Sequence, residues 1–345
     1  MRLIGSSMAT DRGLRRPTGR SLVAVCTRAV CLLIIAHVIP ISGKQVLRWS
    51  DEFRTGCKAG DNLCVNGGIN LRKWGFELGD GTSYGPDLVG WGNWQRQCHT
   101  NASENVRVEP FPSNPFDGML VIQAGYHASG HACFNEKAST TTTNYTSARL
   151  TTRDKAAFRW RGNATKSTPL RIDIRAQVPL VMGTWPAAWM LPDPGNASCL
   201  GCGPYGNGWC LGGEIDIFEH TNADRFFISN AHFGGLANAS WLECKDDVGK
   251  FRAQKADGWN VFSLLWDSKS ISFSANGKVF SNISLGEWQT GGAPDNPYAP
   301  FDVDFYSIFD MAVGGLYPGF DIDNAAVGAG AARFAIDYIR VYDIV

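Results

Sequence analysis

The 345-residue sequence lacks a charge imbalance, with 32 Lys and Arg against 32 Asp and Glu. A chain without net charge gives nucleic acid and anionic membrane surfaces no electrostatic hold, so a neutral partner is the expectation. No segment keeps a 3.6-residue apolar period with capping signals, which argues against a parallel sheet with crossover helices. No charge block, proline-rich tract or internal repeat divides the chain after its leader, so one domain is expected there. A second short-spaced cysteine pair to match Cys199 and Cys202 is also missing, which weakens a zinc reading; these two, with Cys210 and Cys244, read as a stapled loop.

What is present points outward from the cell. Arg12, Arg15, Arg16 and Arg20 precede the apolar run Ala29 to Ile39, which ends at Pro40-Ile41-Ser42-Gly43. This is the layout of a signal peptide over residues 1–43, leaving a domain over 44–345. The run is short for a membrane span, and Arg28 and His37 interrupt the stretch from Leu22, so a signal anchor is the alternative and no membrane contact is expected of the mature chain. Sequons at Asn101, Asn144, Asn163, Asn196, Asn238 and Asn282 agree with secretion. Of ten cysteines, Cys26 and Cys31 leave with the leader, and the even remainder favours disulfides. Local spacing suggests only Cys57 with Cys64.

Twelve Trp, nineteen Phe and nine Tyr are many rings for so few charges. Most belong in a core, but flat apolar rings are also what neutral sugars stack on. Runs that alternate or are rich in β-branched and aromatic residues recur at Asn105 to Val108, Met119 to Ala124, Leu170 to Val178, Phe226 to Phe233, Val261 to Trp266, Ser270 to Ala275 and Phe334 to Tyr342. Gly and Asn punctuate the gaps, and an all-β, two-layer antiparallel sandwich follows.

The chemistry concentrates in Gly212-Gly213-Glu214-Ile215-Asp216-Ile217-Phe218-Glu219-His220. In a regular strand Glu214 and Asp216 share a face and Glu219 takes the other. A β-bulge around Ile217-Phe218 restores the parity and puts all three acids on one face, with Ile215 and one bulge residue in the core. Two glutamates brought to about 5 to 5.5 Å are spaced for direct attack on an anomeric carbon with retention of configuration. Three acids this close cannot all ionise cheaply, so one glutamate should keep its proton as general acid and the other serve as nucleophile.

Glu214-Ile215-Asp216-Ile217-Phe218-Glu219 resembles the E-x-D-x-x-E signature of glycoside hydrolase family 16, in the bulged form of its laminarinase branch. Trp49-Ser50-Asp51-Glu52-Phe53, Gly90-Trp91-Gly92-Asn93, Tyr145 to Leu150, Gly183 to Trp189, Ala231 to Gly234, Ala312 to Gly315 and Asp337 to Tyr342 are similar to laminarinase segments in the same order, covering nearly the whole mature chain. The resemblance implies a concanavalin A-like β-jelly roll with a concave sugar-binding cleft. It implies a secreted, retaining endo-β-1,3-glucanase acting on β-1,3- or mixed β-1,3/1,4-glucan, with Glu214 as nucleophile, Asp216 assisting and Glu219 as acid/base. A β-glucan transglycosylase and a non-hydrolytic glucan-recognition protein are the alternatives.

Within the matching segments, Trp185 and Trp189 would line the cleft, and Asn93, Arg149 and His232 would bind sugar hydroxyls or orient the acids. Catalysis would need no cofactor. Glu52, the carbonyl of Gly118 and Asp337 match the positions of a structural Ca2+ in relatives. The expected partner is a polysaccharide, met by a monomer. Gln95 stands where laminarinases usually carry an acid, and Asp310 replaces a usual asparagine. The insert from Pro194 to Leu211, directly before the acid-bearing strand, is expected to shape one end of the cleft.

Overall fold

The strand Leu170–Gln177 buries Leu170, Ile172, Ile174 and Ala176, while Arg171, Asp173, Arg175 and Gln177 between them stay partly exposed. Such alternation is what burial on one face imposes on a pleated backbone. Ser270–Ala275 repeats it. The computed structural model describes residues 43–345 except 59, 86–87, 136–138, 195–202, 204–207, 235–243 and 254. Apart from Gly43 the leader lies outside the described residues, as do the sequons at Asn196 and Asn238 and the cysteines Cys199 and Cys202.

Among the described residues the strands build two antiparallel sheets of eight. The first runs Lys278–Ser284, Ser270–Ala275, Asn260–Trp266, Leu170–Gln177, Arg333–Ile344, Asn114–Gln123, Val106–Phe111, and Gln45–Asp51 also pairs with Arg333–Ile344. The second runs Cys244–Arg252, Phe226–Gly234, Glu214–Glu219, Thr184–Pro192, Phe305–Val313, Arg149–Thr151, Gly75–Phe76, with Ala157–Phe158 also on Phe305–Val313. This is the two-sheet antiparallel sandwich the sequence predicts. The described α-helices are only two, Trp209–Gly212 and Asn324–Gly328.

The sheets meet through aromatic packing. Phe218 of the second sheet stacks on Phe262 of the first at 4.1 Å between centroids and meets Phe334 edge-on at 5.9 Å. All three are fully buried, and truncating such a ring costs about 3–5 kcal/mol. A smaller three-stranded sheet, Gln97–His99, Ser139–Ser147 and Gly125–Asn135, flanks the sandwich. The disulfide Cys98–Cys133 crosses it, and Cys57–Cys64 forms as local spacing suggests. Cys210 is disulfide-bonded as well.

Near Gly118 the backbones of two segments press together. A β-carbon on Gly118 would lie 2.0 Å from the carbonyl oxygen of Phe53 and 2.9 Å from Val108. Only glycine leaves room there, because the obstructing atom is backbone. Gly118→Ala should therefore lower stability by at least about 2 kcal/mol. A thermal melt of the variant that coincides with the parent's would contradict this packing.

Candidate active site

The ladder between Glu214–Glu219 and its neighbours slips between Asp216 and Glu219. On one side Glu214 pairs with His232, Asp216 with Asn230 and Glu219 with Ile228; on the other, Asp216 pairs with Trp189, Phe218 with Ala188 and Glu219 with Ala187. Ile217 is the extra residue. Its carbonyl, lost to the ladder, accepts a 2.6 Å hydrogen bond from the buried Ser229 hydroxyl, which satisfies a group that would otherwise be orphaned. Both Ile217 and Phe218 are buried in the core, where the sequence suggested only one would be.

Cross-strand partners share a face, so register lays the polar residues out in rows. One row runs Glu219, Ala187, Asp310, Arg149; another runs Asn230, Asp216, Trp189. Ala187, a single methyl, pairs directly with Glu219 and lies between Trp185 and Trp189 in the strand.

The acids are mostly buried, and each glutamate has a specific donor. Trp185 Nε1 donates to Glu219 Oε1 at 2.8 Å, and Trp209 Nε1 donates to Glu214 Oε2 at 2.6 Å. His232 Nε2 lies 3.2 Å from Asp216 Oδ2, 3.7 Å from Glu214 Oε1 and 3.0 Å from Asn230 Nδ2. It accepts from the Asn230 amide in the neutral tautomer that carries its proton on Nδ1. Burial, reinforced by the nearby Asp216 charge, pushes the Glu214 carboxyl up to about 8. The same two causes hold Glu219 well above the ordinary range, against the pull of the Trp185 N–H. Burial thus raises both glutamates, and the donors around them are what differ. Glu214 has an indole N–H and an imidazole; Glu219 has one indole.

The other residues singled out from sequence fall in three places. Trp185 and Trp189 share the acid-bearing face, Trp189 donating to Asp310 Oδ1 at 2.9 Å. Arg149 is 2% exposed. It is held by Glu77 at 2.5 Å and Asp310 at 3.4 Å, with its guanidinium 4.3 Å from the Trp91 ring and 4.6 Å from that of Trp189. It is therefore an internal strut that fixes Trp189 rather than a hydroxyl donor, because a guanidinium closed in by two carboxylates and two rings has little surface left for sugar. Asn93 ends the turn Val89–Gly92, and its carbonyl accepts from Leu316 N at 2.8 Å. Of the expected calcium ligands, Glu52 is gripped by Arg340 through Nε at 3.0 Å and Nη2 at 2.7 Å, and Asp337 is paired with Arg175. Two arginines already match both carboxylate charges, so as they stand these residues do not fit a divalent ion.

Three residues of the acid-bearing side escape sequence reasoning. Trp209 lies inside the insert expected to shape the cleft, five residues before Glu214, and that spacing was the available signal. Glu77 is buried at 2% exposure yet follows a two-residue strand with no pattern of its own. Tyr317 meets Trp185 edge-on at 5.2 Å from the loop after Val313.

No protein-family model matches the sequence. The chain is 31% identical over 307 residues to the glucan endo-1,3-beta-glucosidase A1 of Niallia circulans, which takes in 88% of this chain but only 38% of that longer protein. It is 30% identical over 302 residues to the beta-glucanase of Rhodothermus marinus, across 86% of this chain and 84% of the other. Among solved structures, the laminarinase catalytic domain of Thermotoga maritima MSB8 superposes with a TM-score of 0.62 at 28% identity, covering 87% of this chain and 99% of that one.

The raised carboxyls carry a stability consequence. A glutamate lifted from 4.5 to about 8 binds its proton more tightly folded than unfolded. The stability it contributes is full below about 4.5 and is lost as pH rises through the folded value. Glu214→Gln and Glu219→Gln, which cannot ionise, should melt within a degree or so of the parent near pH 4 and a few °C above it at pH 8 to 9. Melting curves across pH that run parallel for parent and variants would count against buried, proton-holding glutamates.

Proposed function

Because the chain belongs to glycoside hydrolase family 16, in its laminarinase-like branch, we propose that it cleaves internal linkages of β-1,3-glucan, or of mixed β-1,3/1,4-glucan, with retention of configuration. The observation that carries the reading is the bulge at Ile217, which turns Glu219 to the face of Glu214 and Asp216.

In the first step the Glu219 carboxyl donates its proton to the glycosidic oxygen as the Glu214 carboxylate attacks the anomeric carbon. The leaving sugar takes the electron pair of the broken bond, and a glycosyl ester forms on Glu214. In the second, Glu219 takes a proton from water, the water oxygen attacks the same carbon, and Glu214 leaves as carboxylate. Burial raises both glutamates, but Glu214, whose anion the Trp209 N–H and the nearby His232 stabilise, is the one that ionises first and serves as nucleophile, while Glu219, with one indole donor, keeps its proton to higher pH and serves as acid. Asp216, between them and against His232, disfavours ionisation of both glutamates at once. Trp185 and Trp189 supply a floor for a pyranose ring. Export from the cell is supported by the Arg-flanked leader, the exposed sequons Asn101, Asn144, Asn163 and Asn282, and the disulfides Cys57–Cys64 and Cys98–Cys133.

Glu214→Gln and Glu219→Gln should each lower kcat on laminarin by at least about a thousandfold, and Asp216→Asn by less. Proton NMR of early products should show the β-anomer first. A wild type that binds laminarin without releasing reducing ends would replace this reading with a recognition protein, and an α-anomer would remove the double displacement.

The role of Trp209 has its own signature. Its N–H stabilises the Glu214 carboxylate, so its removal raises the Glu214 pKa. For Trp209→Phe the acidic limb of kcat/KM against pH should move upward by about one pH unit. A limb that stays in place or moves down would take the nucleophile's role from Glu214.

A further inference from the structure

Trp94 is 63% exposed, and its backbone lies in the left-handed region at φ 57°. Such a conformation costs a bulky residue on the order of 1–3 kcal/mol and persists where the surroundings impose it. Trp91, in the same turn at φ 55°, has an evident return, since its ring is buried against Arg149. Trp94 has none of that kind: among the described residues its indole stacks on no other ring. The turn is held by its backbone, with Asn93 N and Gln95 N both donating to Gly90 O, and the effect is to present the indole outward.

What faces this turn is equally apolar and equally open. Arg96 N donates to Val313 O at 2.9 Å, so the turn lies at the end of Phe305–Val313; because Val313 pairs with Thr184, and Ala187 with Glu219, that is the end nearer Glu219 than Glu214. There the chain folds into a small loop closed by reciprocal hydrogen bonds between Gly315 and Gly319 and docked on Asn93 O through Leu316 N. Gly315 adopts φ 125°, and a β-carbon on it would lie 2.9 Å from Asn93 O, so the docking depends on glycine. The loop exposes Leu316 at 61% and Tyr317 at 44%, and the Tyr317 ring meets Trp185, the indole that donates to Glu219. Apolar surface therefore leads from the ring beside Glu219, through Tyr317 and Leu316, to the turn that carries Trp94.

We infer that Trp94, on the turn against which the Leu316 loop docks, is a second stacking platform for a neutral pyranose ring, binding a glucosyl unit of the same polymer beyond those over the acids. This rests on the glucanase reading above. A lone outward indole offers a flat face for the C–H groups of a sugar ring. A protein-docking surface would need a larger continuous apolar area. The platform makes this chain favour long polymers over short oligosaccharides.

The test measures kcat/KM of wild type and Trp94→Ala on laminarioligosaccharides of increasing length and on laminarin, with affinity electrophoresis in laminarin gels alongside. The wild-type-to-variant ratio should grow with chain length to about five- to tenfold on laminarin, carried mainly by KM, and Trp94→Phe should restore most of it. A ratio that is constant with length, or a Trp94→Phe variant no better than Trp94→Ala, overturns the inference. A wild type that binds laminarin in the gel but cleaves nothing overturns the hydrolase reading instead; Trp94 is then judged by the gel mobility shift alone, and equal mobility of wild type and Trp94→Ala sinks it.

Discussion

Between Asp216 and Glu219 the ladder admits an extra residue, and the arrangement of the acid-bearing face depends on that insertion. Without it Glu219 would point into the sandwich, a carboxyl would occupy aromatic packing, and Trp185 would have no acceptor. With it Phe218 turns inward onto Phe262, so the insertion that aims the acid also brings in a ring that locks the two sheets together. The Ser229 hydroxyl closes the account by taking the one carbonyl the bulge frees. Positioning and core packing are here one event, and a change that regularised the strand would disturb both.

The face that results concentrates cost. Glu214, Asp216 and Glu219 crowd together largely out of water, and Arg149, Glu77 and Asp310 form a second buried ionic group nearby. Breaking a buried pair of that kind costs about 3–5 kcal/mol, whereas keeping it adds little net stability. Burial also holds the Asp310 carboxyl above its ordinary value, against the pull of Arg149 and the Trp189 N–H. The network is better understood as a jig than as a fastener. It fixes the Trp189 indole through both its ring and its N–H, and so sets the floor on which a ligand would rest.

Much of the architecture was legible because one-sided burial writes itself as alternation. Leu170–Gln177 and Ser270–Ala275 are examples, and the parity argument at Glu214, Asp216 and Glu219 located the bulge before any coordinates. Phe305–Val313 was not legible, because all nine of its residues are buried and no alternation survives. The Thr-rich strand Ser139–Ser147 lacks the apolar residues that mark strands. At the site, Trp209 was concealed in an insert and Glu77 in a short irregular segment, since partners brought in from loops carry no periodic signal. Arg149, Glu52 and Asp337 have a different lesson. The resemblance implied sugar or metal for them, but which charge meets which is decided by long-range packing, and each found an internal counter-charge.

The strand Arg333–Ile344 occupies the middle of the first sheet, between Leu170–Gln177 and Asn114–Gln123, and Gln45–Asp51 also pairs with it. The ribosome delivers this strand after all of those partners. Gln45 must wait for a residue about 300 positions later, at Ile344, so the sheet cannot close during most of synthesis. Until then its earlier strands have unpaired edges and open apolar faces, a state that invites aggregation unless it is chaperoned. The same delay leaves the first sheet without the strand that joins its two halves for as long as the chain is growing.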